Sequence, residues 1–174
     1  MTQFGSTCTM SIPGAMIRRG FWLYVWRAET SDGDFLYVGR TGDNSSPNAV
    51  APYTRMGQHL GYQTTQNALR KHLAAKGLPP EDCIAFHLTA HGPIHPEIEG
   101  DKTTLEARRA LMPAHSKPRD AVAAMEKALA DDLGTVGYAV MNKVRCNAPL
   151  DRGAYAAVRA AFAIHFERLK EMGA

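Results

Sequence analysis

Phe21-Trp22-Leu23-Tyr24-Val25-Trp26-Arg27 and Phe35-Leu36-Tyr37-Val38-Gly39 are two short apolar runs separated by Ser31-Asp32-Gly33-Asp34. Apolar runs on either side of an Asp-Gly turn predict a β-hairpin. Side chains alternate across a strand, so Trp22, Tyr24 and Trp26 share one face and Phe21, Leu23 and Val25 the other. Both faces are apolar, which predicts a central strand covered on both sides. In the second run Phe35 and Tyr37 lie on one face, Leu36 and Val38 on the other. The two tyrosines stand where a strand would normally carry Val or Ile. Gly39 has no side chain and leaves that strand end open to close approach by backbone or ligand.

The rest of the chain supplies helices and one more strand. Residues 43–51 are rich in Asn, Ser and Pro and read as a loop. A helix follows from Pro52 to Leu60, with proline at its first turn and Gly61 at its end. Arg55 and His59 lie four apart and share a face of that helix. A second helix runs from about Thr65 to Lys76, with Thr64 or Thr65 as cap and Gly77 as stop. Cys83 to Thr89 reads as the third strand, broken at Gly92-Pro93. Residues 92–118 carry four prolines and read as an insertion with a short helix from Thr104 to Met112. Arg119 to Leu133 is a helix whose stripe is Val122, Glu126, Leu129 and Leu133, a carboxylate amid apolar positions. Gly134 to Val144 reads as a turn and a short extended run ending at Met141-Asn142-Lys143. Asp151 then caps a long helix to about Met172, with a stripe of Tyr155, Val158, Phe162, His165 or Phe166, and Leu169.

These elements predict an α/β (α+β) fold: a small, mainly antiparallel three-stranded sheet flanked by helices. They divide the chain into an irregular arm (1–19), a central domain (20–145) with its insertion, and a C-terminal helix (146–174) that packs on the domain or on a second subunit. The 174 residues are 45% hydrophobic and 21% charged, the balance of an ordinary globule able to bury a core. The net charge of +3 suits a nucleic-acid partner without demanding one. Three scattered cysteines without Cys-x-x-Cys spacing point to reduced thiols and a cytoplasmic setting. Neither a signal segment nor a membrane span is legible.

Six side chains carry the chemistry that phosphodiester hydrolysis requires. Water must be activated, charge on the phosphoryl oxygens stabilised, and the geometry fixed. Glu126 is a hard oxygen ligand suited to Mg²⁺ (or Mn²⁺), with the substrate phosphate completing the shell. Arg55 offers a planar fork for phosphate oxygens. Tyr24 can accept a proton from water only if its pKa falls well below the free value of about 10, which a neighbouring His59, Arg55 or metal would promote. Tyr37 would orient the water or a phosphate oxygen. Asn142 would hold the Glu126 side of the site, or else merely close a turn. Arg40 and Lys143 are each either a further phosphate contact or a solvated charge.

The order Leu23-Tyr24, Tyr37-Val38-Gly39, Arg55, His59, Glu126, Asn142 resembles the GIY-YIG nuclease family over roughly residues 21–143. The resemblance implies a metal-dependent DNA endonuclease in which two tyrosines, an arginine, a histidine and a glutamate surround one divalent ion. Restriction-type members carry an Arg and a His four apart, as Arg55 and His59 are here. Trp22-Leu23 replaces Gly-Ile in the first motif, a change that leaves the tyrosine in place. Residues 92–118 lengthen the chain before the glutamate helix. Two other readings stand beside it: a non-catalytic nucleic-acid or protein-binding module on the same scaffold, and a zinc hydrolase using His87, His91 and His95. The second is disfavoured by Gly92-Pro93, because spacing by four aligns imidazoles on a helix but not along a strand. A palindromic DNA target would require a homodimer.

Overall fold

The computed structural model of the protein describes residue 5 and residues 7–172. The first residues of the expected arm lie outside the described residues, as does the end of the chain. A short 3₁₀ turn at Gly14–Ile17 precedes the hairpin. Strand β1 runs Phe21–Thr30 and β2 runs Gly33–Arg40. Helices α1 (Pro52–Leu60) and α2 (Ala68–Ala74) follow. Strand β3 is Ala85–His95, α3 is Leu105–Thr135 and α4 is Arg152–Ala163. The sheet is antiparallel with order β2-β1-β3, so the strand that is apolar on both faces is the central one.

Each face of the sheet has its own core. Phe21, Leu23, Val25, Leu36 and Val38 pack against Val122, Met125, Leu129 and Leu133 of α3 and Tyr155, Val158 and Phe162 of α4. Tyr24, Trp26 and Tyr37 pack on the opposite face against Leu69 and Leu73 of α2. Every one of these large side chains is at most 9% exposed. Burying each contributes about 1.5–3 kcal/mol, which is what fixes the hairpin register.

The 92–118 segment corrects two expectations, the end of the third strand and the break between two helices. Strand β3 does not stop at Thr89 but continues through Gly92-Pro93 to His95. It lies at the sheet edge, where a proline's missing N–H is no loss. The extra residues are absorbed by an irregularity: β1 advances from Phe21 to Leu23 while its partners change from His95 to His91. Beyond it, α3 is one continuous helix of 31 residues instead of a short helix, a break and a second helix. Pro113 and Pro118 each remove one helical hydrogen bond, from the carbonyls of Arg109 and Ala114. Both of those residues are exposed, at the surface where water can take the place of the missing donors. Thr104 caps the start by accepting from the Ala107 N–H at 3.1 Å.

Glu97, in the same segment, ties three parts of the chain together. It accepts two hydrogen bonds from Arg19, one from the Ala49 N–H, and pairs with Lys102 at 2.9 Å. Burial opposes its charge, but these donors win and hold its carboxyl down at about 2. Loop 43–51 is thereby pinned at Ala49, whose carbonyl also accepts from the Gly20 N–H.

The C-terminal run is shorter as a helix than its stripe suggests. Asp151 caps it as expected, accepting from the Ala154 N–H at 3.0 Å. The α-helix ends at Ala163, and a 3₁₀ turn occupies Glu167–Met172. Phe166 and Leu169 are buried and His165 is exposed. The stripe is thus consumed within the chain's own core. Among the described residues no helix is long and apolar enough to cross a membrane.

Candidate active site

The residues singled out from the sequence come from both sides of the sheet and meet at one end of it. A cleft of about 710 Å³ opens where β2 ends, and Tyr24, Tyr37, Gly39, Arg40, Arg55 and Glu126 line it. Asn142 and Lys143 form part of its far wall. Glu126 belongs to α3, which covers the opposite face from the tyrosines. Its carboxylate joins them because the cleft wraps around the end of β2 at Gly39-Arg40.

Gly39 is the residue that permits this. It pairs directly with Tyr24 across the hairpin. A Cβ at Gly39 would lie 2.5–2.7 Å from the Tyr24 ring and hydroxyl. The close approach expected at this glycine is therefore made by the Tyr24 phenol itself, lying across the strand end, and not by backbone.

Behind the phenol stands His59, fully buried on α1. Its Nε2 is 2.6 Å from the Tyr24 hydroxyl, and its ring packs edge-on to Tyr37 with centroids 5.1 Å apart. Burial, with the charge of Arg55 adding to it, lowers the His59 pKa to about 3, so the ring is neutral at physiological pH. Nδ1 is buried without a hydrogen-bond partner. Burial also raises the Tyr24 hydroxyl to about 12, a shift that Arg55 only partly offsets. Tyr37 moves up as well, again chiefly through burial. This corrects the expectation of a lowered tyrosine pKa: desolvation of the phenolate outweighs its cationic neighbours.

Glu126 is partly shielded, with its side chain 15% exposed. Burial pushes its carboxyl up to about 7 against the opposing charges of Arg40 and Arg55. Its ion-pair partner is Arg40, whose Nε lies 3.2 Å from Oε2. The Nε–H points off that line and makes no hydrogen bond. Arg40 Nη1 donates to the Gly42 carbonyl at 2.5 Å and Nη2 to Asn44 Oδ1 at 2.9 Å. Arg40 is therefore not the solvated charge that one reading allowed. Arg55 donates from Nη1 to Gln58 at 2.9 Å, while its buried Nε has no partner. Arg55 lines the polar cleft, where a guanidinium suits an anion.

Asn142 departs from its expected task. Its Oδ1 accepts from the Val38 N–H at 2.9 Å and its Nδ2 donates to the Val38 carbonyl at 2.8 Å. The side-chain amide thus extends the outer edge of β2 as a strand would, instead of bonding Glu126. Next to it, Leu36 bridges Val140 in a short parallel contact. The result carries Lys143 into the cleft wall.

Sequence reading missed several residues that line the cleft: Asp43, Gln58, His72 and Arg145. His72 sits beside the Tyr37 ring at 5.5 Å. Its signal was its place between Leu69 and Leu73 on the buried side of α2, and not among the lysines. Lys143 and Arg145 alternate in an extended run, which places both on one side. His87, His91 and His95 are strung along β3 opposite Arg27, Leu23 and Phe21. Comparisons with protein-family models, with curated proteins and with solved structures return no match.

Proposed function

We propose that the chain is a metal-dependent DNA endonuclease of the GIY-YIG type, hydrolysing phosphodiester bonds in the cleft at the end of β2. The observation that carries this reading is the convergence of Tyr24, Tyr37, Arg55 and Glu126, from four elements, on one polar cavity. Arg40, Arg55, Lys143 and Arg145 make the cavity wall predominantly basic, as a polyanion requires.

The donor set fits a magnesium-type ion. Glu126 is a carboxylate whose charge burial opposes and whose close cation is Arg40. Asp43 lines the same cleft. Among the described residues no cluster of three or more His, Cys, Asp or Glu forms a closed cage. One carboxylate plus waters and substrate phosphate is how Mg²⁺ is commonly held. Glu126 would hold the ion, which when bound supplies Lewis acidity to the phosphoryl and departing oxygens.

The chain's own residues divide the remaining work. Arg55, lining the cleft, takes a non-bridging phosphate oxygen with its guanidinium. Tyr37, fixed between the His59 and His72 rings, orients the attacking water. With His59 carrying its proton on Nδ1, Nε2 accepts the Tyr24 hydroxyl hydrogen. Held this way, the Tyr24 oxygen keeps a lone pair for the attacking water, and as the water oxygen bonds to phosphorus its proton passes to solvent. The opposite P–O bond breaks, and the departing oxygen takes a proton from solvent. A phenol with a raised pKa serves in this role because it positions the water as a hydrogen-bond acceptor and never has to exist as a free phenolate.

Three free cysteines at Cys8, Cys83 and Cys146 agree with a cytoplasmic setting. Cleavage of a palindromic duplex would add a homodimer. The test is nicking of supercoiled plasmid with Mg²⁺ by the wild type and by Glu126→Ala. Cutting by the wild type alone supports the proposal. Equal cutting by both removes Glu126 from it. Duplex binding without cutting under any divalent ion favours a non-catalytic binding module.

A further inference from the structure

We infer that Arg40 acts as a stand-in cation on Glu126, so that the site takes up its divalent ion together with a substrate phosphate and not before it. The inference rests on the nuclease reading and adds an order of binding to it.

The geometry that supports it is the anchoring of Arg40. Two of its three nitrogens are held by loop 42–44, through the Gly42 carbonyl and Asn44 Oδ1. The guanidinium is therefore placed by the loop, and its Nε edge is presented to Glu126 at 3.2 Å without a hydrogen bond between them. The contact is one of charge. A divalent ion on the same carboxylate then meets a fixed positive neighbour in a shielded corner, where both partners of the pair are 15% exposed or less. Arg55 adds a second positive group, beside the neutral Gln58 and the Tyr24 phenol and without a carboxylate in ion-pair contact. Arg40, Arg55, Lys143 and Arg145 against Glu126 and Asp43 leave the cleft with an excess of positive charge. That excess repels a metal ion and attracts a phosphate. Once a phosphate is seated its negative charge offsets both guanidinium groups, and the repulsion on the ion falls. Metal and DNA should therefore bind cooperatively, and by reciprocity each should strengthen the other by the same factor. Such a device would keep a nuclease without its metal until nucleic acid is in the cleft.

The test measures binding and not cleavage. Mn²⁺ binding to the protein alone is followed by loss of the free-ion paramagnetic resonance signal. Binding of a short fluorescein-labelled duplex is followed by anisotropy, with and without Mn²⁺, before products accumulate. For the wild type, Mn²⁺ alone should bind weakly and should tighten duplex binding by about tenfold or more, the scale of one nearby unit charge in a partly shielded site. Arg40→Gln should bind Mn²⁺ alone about tenfold more tightly, and the effect of Mn²⁺ on duplex binding should shrink. Arg40→Lys keeps the charge but not the fork, and should stay close to the wild type. If Arg40→Gln binds Mn²⁺ no more tightly than the wild type, the inference is overturned while Mn²⁺-dependent duplex binding leaves the nuclease reading standing. If Arg40→Lys tightens Mn²⁺ binding as much as Arg40→Gln, the loop contacts and not the charge are responsible, and the inference again fails. If Mn²⁺ is bound by neither protein and leaves duplex binding unchanged, the role of Glu126 as metal ligand falls, and the inference with it.

Discussion

Replacing Glu126 by glutamine should make the protein more stable at high pH, because the carboxylate is a charge held where burial opposes it. Its carboxyl is pushed from 4.5 up to about 7 in the fold. A raised carboxyl pKa means that the folded state binds the proton more tightly than the unfolded chain. Wild-type stability therefore falls as pH rises from about 4.5 through about 7, and the loss is complete above that. Each pKa unit is worth about 1.4 kcal/mol, so the whole loss is on the order of 3 kcal/mol. Glutamine does not titrate and escapes it. The rest of the mutational effect is a constant offset, and the attraction of Arg40 for the ionised carboxylate is already counted in the net shift. The assay is urea unfolding of wild type and Glu126→Gln from pH 4.5 to 8.5. The stability difference should move by about 3 kcal/mol in favour of the variant across that range. His59 complicates the wild-type curve alone, because its folded pKa is depressed and its stability contribution is lost as pH falls below 6.5. The two slopes oppose each other between pH 4.5 and 6.5, and only the difference between the proteins isolates Glu126. A difference that stays flat with pH would refute the claim that burial strains this carboxylate.

Cleavage at low Mg²⁺ should fall as pH drops below about 7, and raising Mg²⁺ should shift that limb to lower pH, since proton and metal compete for Glu126; rate profiles at two metal concentrations check it. Gly39→Ala should cost about 1–3 kcal/mol in thermal unfolding and abolish most cleavage, because its methyl would strike the Tyr24 ring. Asn142→Ala should cost about 1–3 kcal/mol by stranding the Val38 N–H and carbonyl, measured by denaturant unfolding, while the folded variant still cuts DNA. Glu97→Ala should speed amide hydrogen exchange across loop 43–51, because Ala49 then loses its acceptor.

The hairpin, its two-faced central strand and α1 were legible because each rests on short-range pattern: alternation, an Asp-Gly turn, a proline at the first helical turn. Arg55 and His59 were legible for the same reason, being four apart on a helix. What could not be read was set by tertiary position. Prolines at 113 and 118 look like breaks until α3 is seen to turn their orphaned carbonyls to solvent. Gly92-Pro93 looks like a strand end until β3 proves to be the edge strand. Tyr24 was expected to need a lowered pKa if it was to take a proton from water, and Asn142 either to hold the Glu126 side of the site or to close a turn. Burial decided the first and the uncovered edge of β2 the second, and neither leaves a trace in local sequence. Arg145 was hidden among ordinary basic residues of a loop, whereas His72 could have been found from its place beside Leu69 and Leu73 on α2.

The most direct measurement is the single-turnover cleavage rate, at saturating Mg²⁺ and excess enzyme, of the wild type, Tyr24→Phe, Glu126→Gln and the double variant. If these side chains act as a unit on one phosphate, each single change should cost about a thousandfold or more, and the double change little beyond that. Wild-type rates in either single variant would contradict the assignment.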